Sequence, residues 1–443
     1  MTSLWKSETR IPKPVWKRGT CSVREVIVSL LAFLVLAAVP ELAVAQSMDA
    51  PTPRVPADIV YARPGQLVDA GGFRLNLYCM GSGSPTVVFD SGWEDWAPAW
   101  AKVQPRIAQW TRVCSYDRAG AGFSEPGPMP RTSVRAAGEL HTALHNAGVG
   151  GPYILVGAAF GGDNMRVFAD RYMSEVAGLV MVDADPDEFE PAETPEQQHR
   201  REVGIISPLR DCRNAIAEHK PLPMLPPRPG RSQRTCAQQF FRGLPETEWS
   251  PELNARILEI AQTKVAMYDA FLSEMEQTPW DEAYLRQHRR SYGARPIRVL
   301  TSGNHGVGHL ETKPADTSAH RKYEQESTLA QARWLALSSN AKQIFARHSS
   351  EYIQFDEPET VINAIREVYD EARKGTAEHR SAAVSAAGSA ASSPPRAVEG
   401  PCRRSAETAL GQPARTPALP AASATSVLPR RLPAPTSKGS GEP

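Results

Sequence analysis

The segment PYILVGAAFGGDNMRVFAD, residues 152–170, constrains the fold of this chain more than any other. Tyr153 to Val156 is a short apolar run. It enters the corner Gly157-Ala158-Ala159-Phe160-Gly161 and leaves as a helical pattern in which Met165, Phe168, Ala169 and Tyr172 share one face. A strand that turns directly into a helix is half of a strand–helix–strand unit, and the same rhythm recurs on both sides of it. GQLVDAGGFRLNLYCMG reads as a hairpin about Ala70-Gly71-Gly72, PTVVFDSG (85–92) as a buried strand, and TRVCSYDRAGAGFSEPG (111–127) as a strand breaking into a glycine-rich loop. Val134, Ala137, Leu140 and Leu144 mark a helix within 131–147, and AGLVMVDAD (177–185) is an apolar strand ending in carboxylates. After a charged, proline-rich block the pattern resumes. PIRVLTSGN (296–304) is a strand, 325–340 a helix and KQIFA a strand, and a last helix opened by Asp356 and Pro358 follows. Strands alternating with helices predict a mostly parallel sheet covered on both faces. The irregular block, about 187–290, then reads as an insertion over one end of that sheet.

The two ends of the 443-residue chain read differently from this body. Lys6, Arg10, Lys13, Lys17 and Arg18 precede the uncharged run Val26–Val39, and AVAQ offers a cleavage site after Ala45. Residues 1–45 are therefore expected to be a signal peptide, with the protein secreted or periplasmic and left without a stable membrane span once cleaved. Residues 376–443 are rich in Ala, Ser, Pro and Arg with no aromatic residue, a composition that cannot bury enough apolar surface to order a chain, so a disordered tail is expected. Residues 46–375 remain as one domain. A formal net charge of +1 gives no reason to expect a nucleic-acid partner. Five cysteines lie beyond the expected cleavage site, an odd number that leaves one over, most simply Cys402, and their spacings do not resemble a zinc site.

PTVVFDSG, RVCSYDRAGAGFSEPGP, GPYILVG..FGG, VAGLVMVDAD and DEPETVINAIREV occur in the order found in serine esterases and peptidases of the α/β-hydrolase fold, and residues 60–370 resemble that family. The resemblance implies an eight-stranded, mostly parallel sheet with helices on both faces and a helical cap inserted after strand six. It also implies a Ser-acid-His triad at the C-terminal ends of the strands. Carried onto this sequence, the nucleophile position falls on Ala159, the acid on Asp183 and the histidine on Glu351. The alternative acid position, after strand seven, falls near Asn304. The oxyanion-hole donors fall on backbone, the amides of Phe160 and of the Gly92-Trp93 region. Because strands two and four are neighbours in such a sheet, the resemblance also implies a Cys79–Cys114 disulfide, with Cys212–Cys236 closing a loop within the cap.

Two of the three chemical positions are thus substituted, and a base without a nucleophile has nothing to activate. The leading expectation is a ligand-binding or regulatory pseudoenzyme that holds a small acyl or ester-like molecule. It requires no cofactor and no metal. The alternative is an active enzyme, either a hydrolase using Asp183, Glu351 and a histidine from another loop, or a lyase-like catalyst. Pocket candidates are Gly92, Trp96, His305 and His309, although core packing is an equal expectation for the tryptophans of GWEDWAPAW. The two histidines sit on a Gly-Val-Gly loop where their spacing does not force both rings onto one face, so they do not define a metal site. His348 reads as a solvent-facing histidine, and Asp117 and Arg118 as braces of the pocket through backbone hydrogen bonds.

Overall fold

A computed structural model describes residues 58–184, 195–225, 233–238, 249–304 and 317–391, with the backbone alone for residues 375–391. Eight strands form one sheet in the order β1-β2-β4-β3-β5-β6-β7-β8. They are β1 (Gln66–Asp69), β2 (Arg74–Met80), β3 (Thr86–Asp90), β4 (Val113–Asp117), β5 (Tyr153–Ala158), β6 (Val176–Val182), β7 (Ile297–Asn304) and β8 (Ala341–Ser350). Strand β2 runs antiparallel to β1 and β4, and the remaining pairs are parallel.

Side-chain alternation explains why the central strands are apolar throughout. Along β5, Ile154, Val156 and Ala158 enter one core while Tyr153 and Leu155 enter the other. Along β6, Val180 and Val182 face the first core, and Leu179 and Met181 the second. Both faces are covered, so no position on these strands can be polar without a partner. The second face is closed by helices α1 (Ser133–Asn146) and α2 (Gly161–Arg171), which contribute Leu140, Leu144, Met165 and Phe168.

The insertion between β6 and β7 contains α3 (Pro195–Arg201), α4 (Ser207–Ala217), α5 (Pro251–Thr263) and α6 (Val265–Gln287). Its apolar residues, among them Leu209, Leu253, Met267 and Phe271, belong to the first core cluster. The cap is therefore packed as part of the body. Both disulfides form: Cys79–Cys114 joins directly paired residues of β2 and β4, and Cys212–Cys236 ties α4 to the following cap segment.

Two boundaries differ from those expected. The helix expected over 325–340 is α7 (Ser318–Ala332), started by the Thr317 side chain accepting from the His320 amide. The chain then tightens into a 3-10 turn that buries Trp334 and Leu337. The last helix, α8 (Pro358–Ala391), passes Gly375, so residues 376–391 are helical where a disordered tail was expected. Alanine, the strongest helix former, dominates that stretch and extends the helix without needing a core. The compact unit itself ends at Ala383. The expected signal segment, residues 392–443 of the expected tail, Cys402, His305 and His309 lie outside the described residues.

Candidate functional site

The site begins at the corner between β5 and α2. Ala158 pairs with Val182 across the two parallel strands, and the Ala159 amide donates to the Val182 carbonyl at 3.1 Å. Ala159 and Asp183 therefore stand one residue beyond neighbouring strand ends, and both adopt left-handed backbone, at φ 44° and 46°. Such a conformation costs an L-residue about 1–2 kcal/mol. Glycines on either side make the corner possible. A Cβ on Gly157 would lie 2.5 Å from the Gly161 carbonyl oxygen, and one on Gly161 would lie 2.7 Å from the carbonyls of Asp90 and Ser91. Phe160 is buried beneath the corner, while Ala159 points its methyl into exposed space. The elbow is thus built in full, with a methyl group at its tip.

Opposite that tip stands the loop after β3. A Cβ added to Gly92 would be 3.4 Å from the Ala159 methyl and 3.6 Å from Asp95 Oδ2, which places this loop directly beside the elbow. Trp93 stacks on Phe160 with ring centroids 5.2 Å apart, and its buried indole Nε1 has no partner among the described residues. Trp93 and Phe160, whose backbone amides are the two expected oxyanion donors, are thus neighbours through their rings.

Arg118 holds the loop in place. Its guanidinium donates to the carbonyls of Ser91 at 2.7 Å and Gly92 at 2.9 Å, and to Asp90 Oδ1 at 2.9 Å. It also binds Glu274 of α6 through two nitrogens, at 2.8 and 3.1 Å. Arg118, Asp90 and Glu274 are all buried, at 2, 1 and 2% exposure. Burial pushes the Asp90 carboxyl up, opposed by Arg118, Tyr116 and Asn164, while Glu274 and Asp90 overcome desolvation to hold the Arg118 pKa above its ordinary value. Asp117 supports the loop from behind, accepting from the amides of Ala97 and Phe123 and from Asn76 Nδ2. Burial raises it to about 6. The bracing role expected of Asp117 and Arg118 is what their hydrogen bonds perform.

The acid position is likewise held. Asp183 Oδ1 accepts from the Ser302 amide and from Gln331 Nε2, each at 3.0 Å, and Gln331 is oriented in turn by Thr301 Oγ1 at 2.7 Å. Asn304, at the alternative acid position, donates to the Ser349 carbonyl at 3.2 Å. Asn304 pairs with Ser350 at the ends of β7 and β8, and Glu351 follows one residue later, half-buried. Ala159, Asp183 and Glu351, the three expected chemical positions, therefore lie just beyond the C-terminal ends of parallel strands, the edge where ligands of open α/β sheets bind. Trp96 requires correction as a pocket candidate. It is 2% exposed in the core, against the glycine loop, where a Cβ on Gly122 would touch its ring at 2.8 Å. His348 lies exposed near the end of β8, so its solvent-facing position holds.

Sequence reasoning missed Glu274 and Gln331, the partners that fix Arg118 and Asp183. A signal for Glu274 exists. It stands on the face of α6 shared by Phe271, Met275 and Thr278, and a carboxylate on a buried helical face requires a donor or a cation opposite.

The family described as alpha/beta hydrolase fold matches residues 85–369, and the chain belongs to it. An uncharacterised protein of Schizosaccharomyces pombe is 44% identical over 82 residues, 18% of this chain and 15% of that protein. The 2-hydroxy-6-oxo-2,4-heptadienoate hydrolase of Pseudomonas putida is 32% identical over 139 residues, 30% of this chain and 48% of that enzyme. The chain spans 15 to 37% of the length of the first curated relatives it matches. Among solved structures, Cfl2 of Burkholderia cenocepacia superposes with a TM-score of 0.50 at 16% identity, covering 69% of this chain and 95% of that one, a likeness of fold.

Proposed function

We propose that this protein is an exported ligand-binding or regulatory pseudoenzyme of its family, holding a small acyl or ester-like molecule beneath the cap. Ala159 carries the reading. The corner retains the left-handed strain of a nucleophile elbow, and the tip that faces open space is a methyl group. Glu351 stands where the family's histidine would, so neither the attacking oxygen nor its base is supplied at its usual place. Removing either from a serine protease costs about a millionfold in turnover, roughly 8 kcal/mol of barrier. The braced amides of Phe160 and Trp93 would still polarise and orient a ligand carbonyl. Export is supported by the N-terminal pattern and by two disulfides, which persist in oxidising compartments. Among the described residues, no helix is long and apolar enough to cross a membrane.

Short acyl esters offered to the protein beginning at Gln46 test the reading. Saturable binding without turnover supports it, and turnover that scales with protein concentration refutes it. N-terminal sequencing of the mature protein tests export, with Gln46 expected first and an intact Met1 on cytoplasmic protein as the contrary result.

A further inference from the structure

A second concave surface lies away from the elbow. It is an open groove of about 790 Å³ between the β1–β2 turn, helix α1, the end of α2 and the cap helix α6. Ligand sites usually measure about 300–1,000 Å³. None of its lining residues belongs to the elbow, the loop after β3, or positions 183 and 351.

Three features of this groove point to one kind of ligand. The first is Gly138, midway along α1 and lining the groove. Glycine is the weakest helix former after proline, and packing does not call for it here. A Cβ at this position would have only Tyr172 Oη near it, at 4.0 Å. What the missing side chain provides is depth. The second feature is aromatic: Phe73, Tyr172 and Trp280 line the groove. Trp280 is 48% exposed, yet it stacks on Tyr284 at 5.7 Å, which stacks on His288 at 3.9 Å, so an exposed indole is held in position. The third feature is charge. Arg135 spends its Nε on the Pro130 carbonyl at 3.0 Å, and Arg171 lies 5.8 Å over the Tyr172 ring. Neither forms an ion pair among the described residues. The carboxylate lining the groove, Glu139, is already bound by the buried Arg131 at 2.5 Å. The groove is left with uncompensated positive charge beside aromatic faces.

We propose that this groove is a second binding site, for a small aromatic carboxylate. Its ring would lie against the aromatic wall in the space left by Gly138, and its carboxylate would take the guanidinium groups of Arg135 and Arg171. The site is independent of the elbow, so its ligand would bind whether or not the elbow is occupied.

The probe is 2-naphthoate, titrated into the full chain by calorimetry and by tryptophan fluorescence. Saturable one-to-one binding is expected, about tenfold weaker for neutral 2-naphthamide and for the double variant Arg135→Gln/Arg171→Gln, since charged hydrogen bonds are lost. Gly138→Leu should melt no lower than the parent, because leucine is the better helix former, and should also bind at least about tenfold more weakly because the groove is filled. Ala159→Leu, which fills the elbow instead, should leave 2-naphthoate binding unchanged. Absence of saturable binding by the parent would overturn the proposal. So would binding that survives both groove changes, or binding abolished by Ala159→Leu.

Discussion

The loop after β3 and the tip of the elbow face one another, and they differ in what holds them. The loop rests on buried groups whose partners are fixed: Arg118 on the carbonyls of Ser91 and Gly92, Glu274 on Arg118, and Asp117 on the amides of Ala97 and Phe123. Ala159 is exposed and Glu351 half-buried. The contrast separates two kinds of constraint. Removing a member of the buried frame leaves a charge or carbonyl without a partner and destabilises the fold, whether or not any chemistry occurs. Changing the group at an exposed elbow tip leaves the frame untouched. A site can therefore lose its reactive atoms while its backbone geometry persists.

The sharpest way to break the contrast is to attack the frame from the cap. Glu274→Ala leaves Arg118 buried without its bidentate partner, which should lower unfolding free energy by about 4 kcal/mol in denaturant titration. Hydrogen exchange should also quicken in residues 90–97. Unchanged exchange there would mean that the cap does not hold the loop.

The next joint between cap and body is titratable. Asp281 of α6 accepts from the Ser133 amide at the start of α1, and burial, with Glu274 and Glu282 nearby, raises it to about 7. An unfolded aspartate releases its proton near pH 4, so between about pH 4 and 7 the folded state binds more protons. Stability should decline as pH rises through that window, by roughly 4 kcal/mol, and level off above it. Asp281→Asn should flatten this decline. A smaller one should remain, ending near pH 6, from Asp117. An identical pH profile for parent and variant would contradict the assignment.

Cutting the cap's own tie has a similar or smaller effect. Cys212→Ser/Cys236→Ser should cost about 3 kcal/mol for a loop of this length while leaving exchange in 90–97 unchanged. The smallest effect lies at the elbow. Ala159→Gly relieves a left-handed alanine and should raise stability by about 0.5–1 kcal/mol, read as a higher melting temperature. A destabilised glycine variant would show that the corner is not strained.

The same contrast explains what the sequence revealed. Alternation along β5 and β6 reports burial on two faces, and glycines at 157 and 161 report a tight corner, because both are local requirements. The expectation that positions 159 and 351 are substituted rests on the motifs that flank them. Arg118 could be read as a brace, but its partner Glu274 lies 156 residues away on a cap helix, and no local pattern names such a pair. Gln331, 148 residues from Asp183, escaped for the same reason. Trp96 was misplaced as a pocket candidate because an aromatic cluster reads alike whether it lines a cavity or fills a core.

The measurement closest to the proposed reading places a serine and a histidine at positions 159 and 351. Four proteins are assayed against short acyl esters: the parent, Ala159→Ser, Glu351→His and the double variant. Members of a triad act as a unit, so each single change should remain near-silent. If the frame is intact, Asp183 can orient the new imidazole and the Phe160 amide can hold the oxyanion, so turnover should appear in the double variant alone. Robust turnover by the parent would contradict the account, since it would show that catalysis persists without a serine at the elbow.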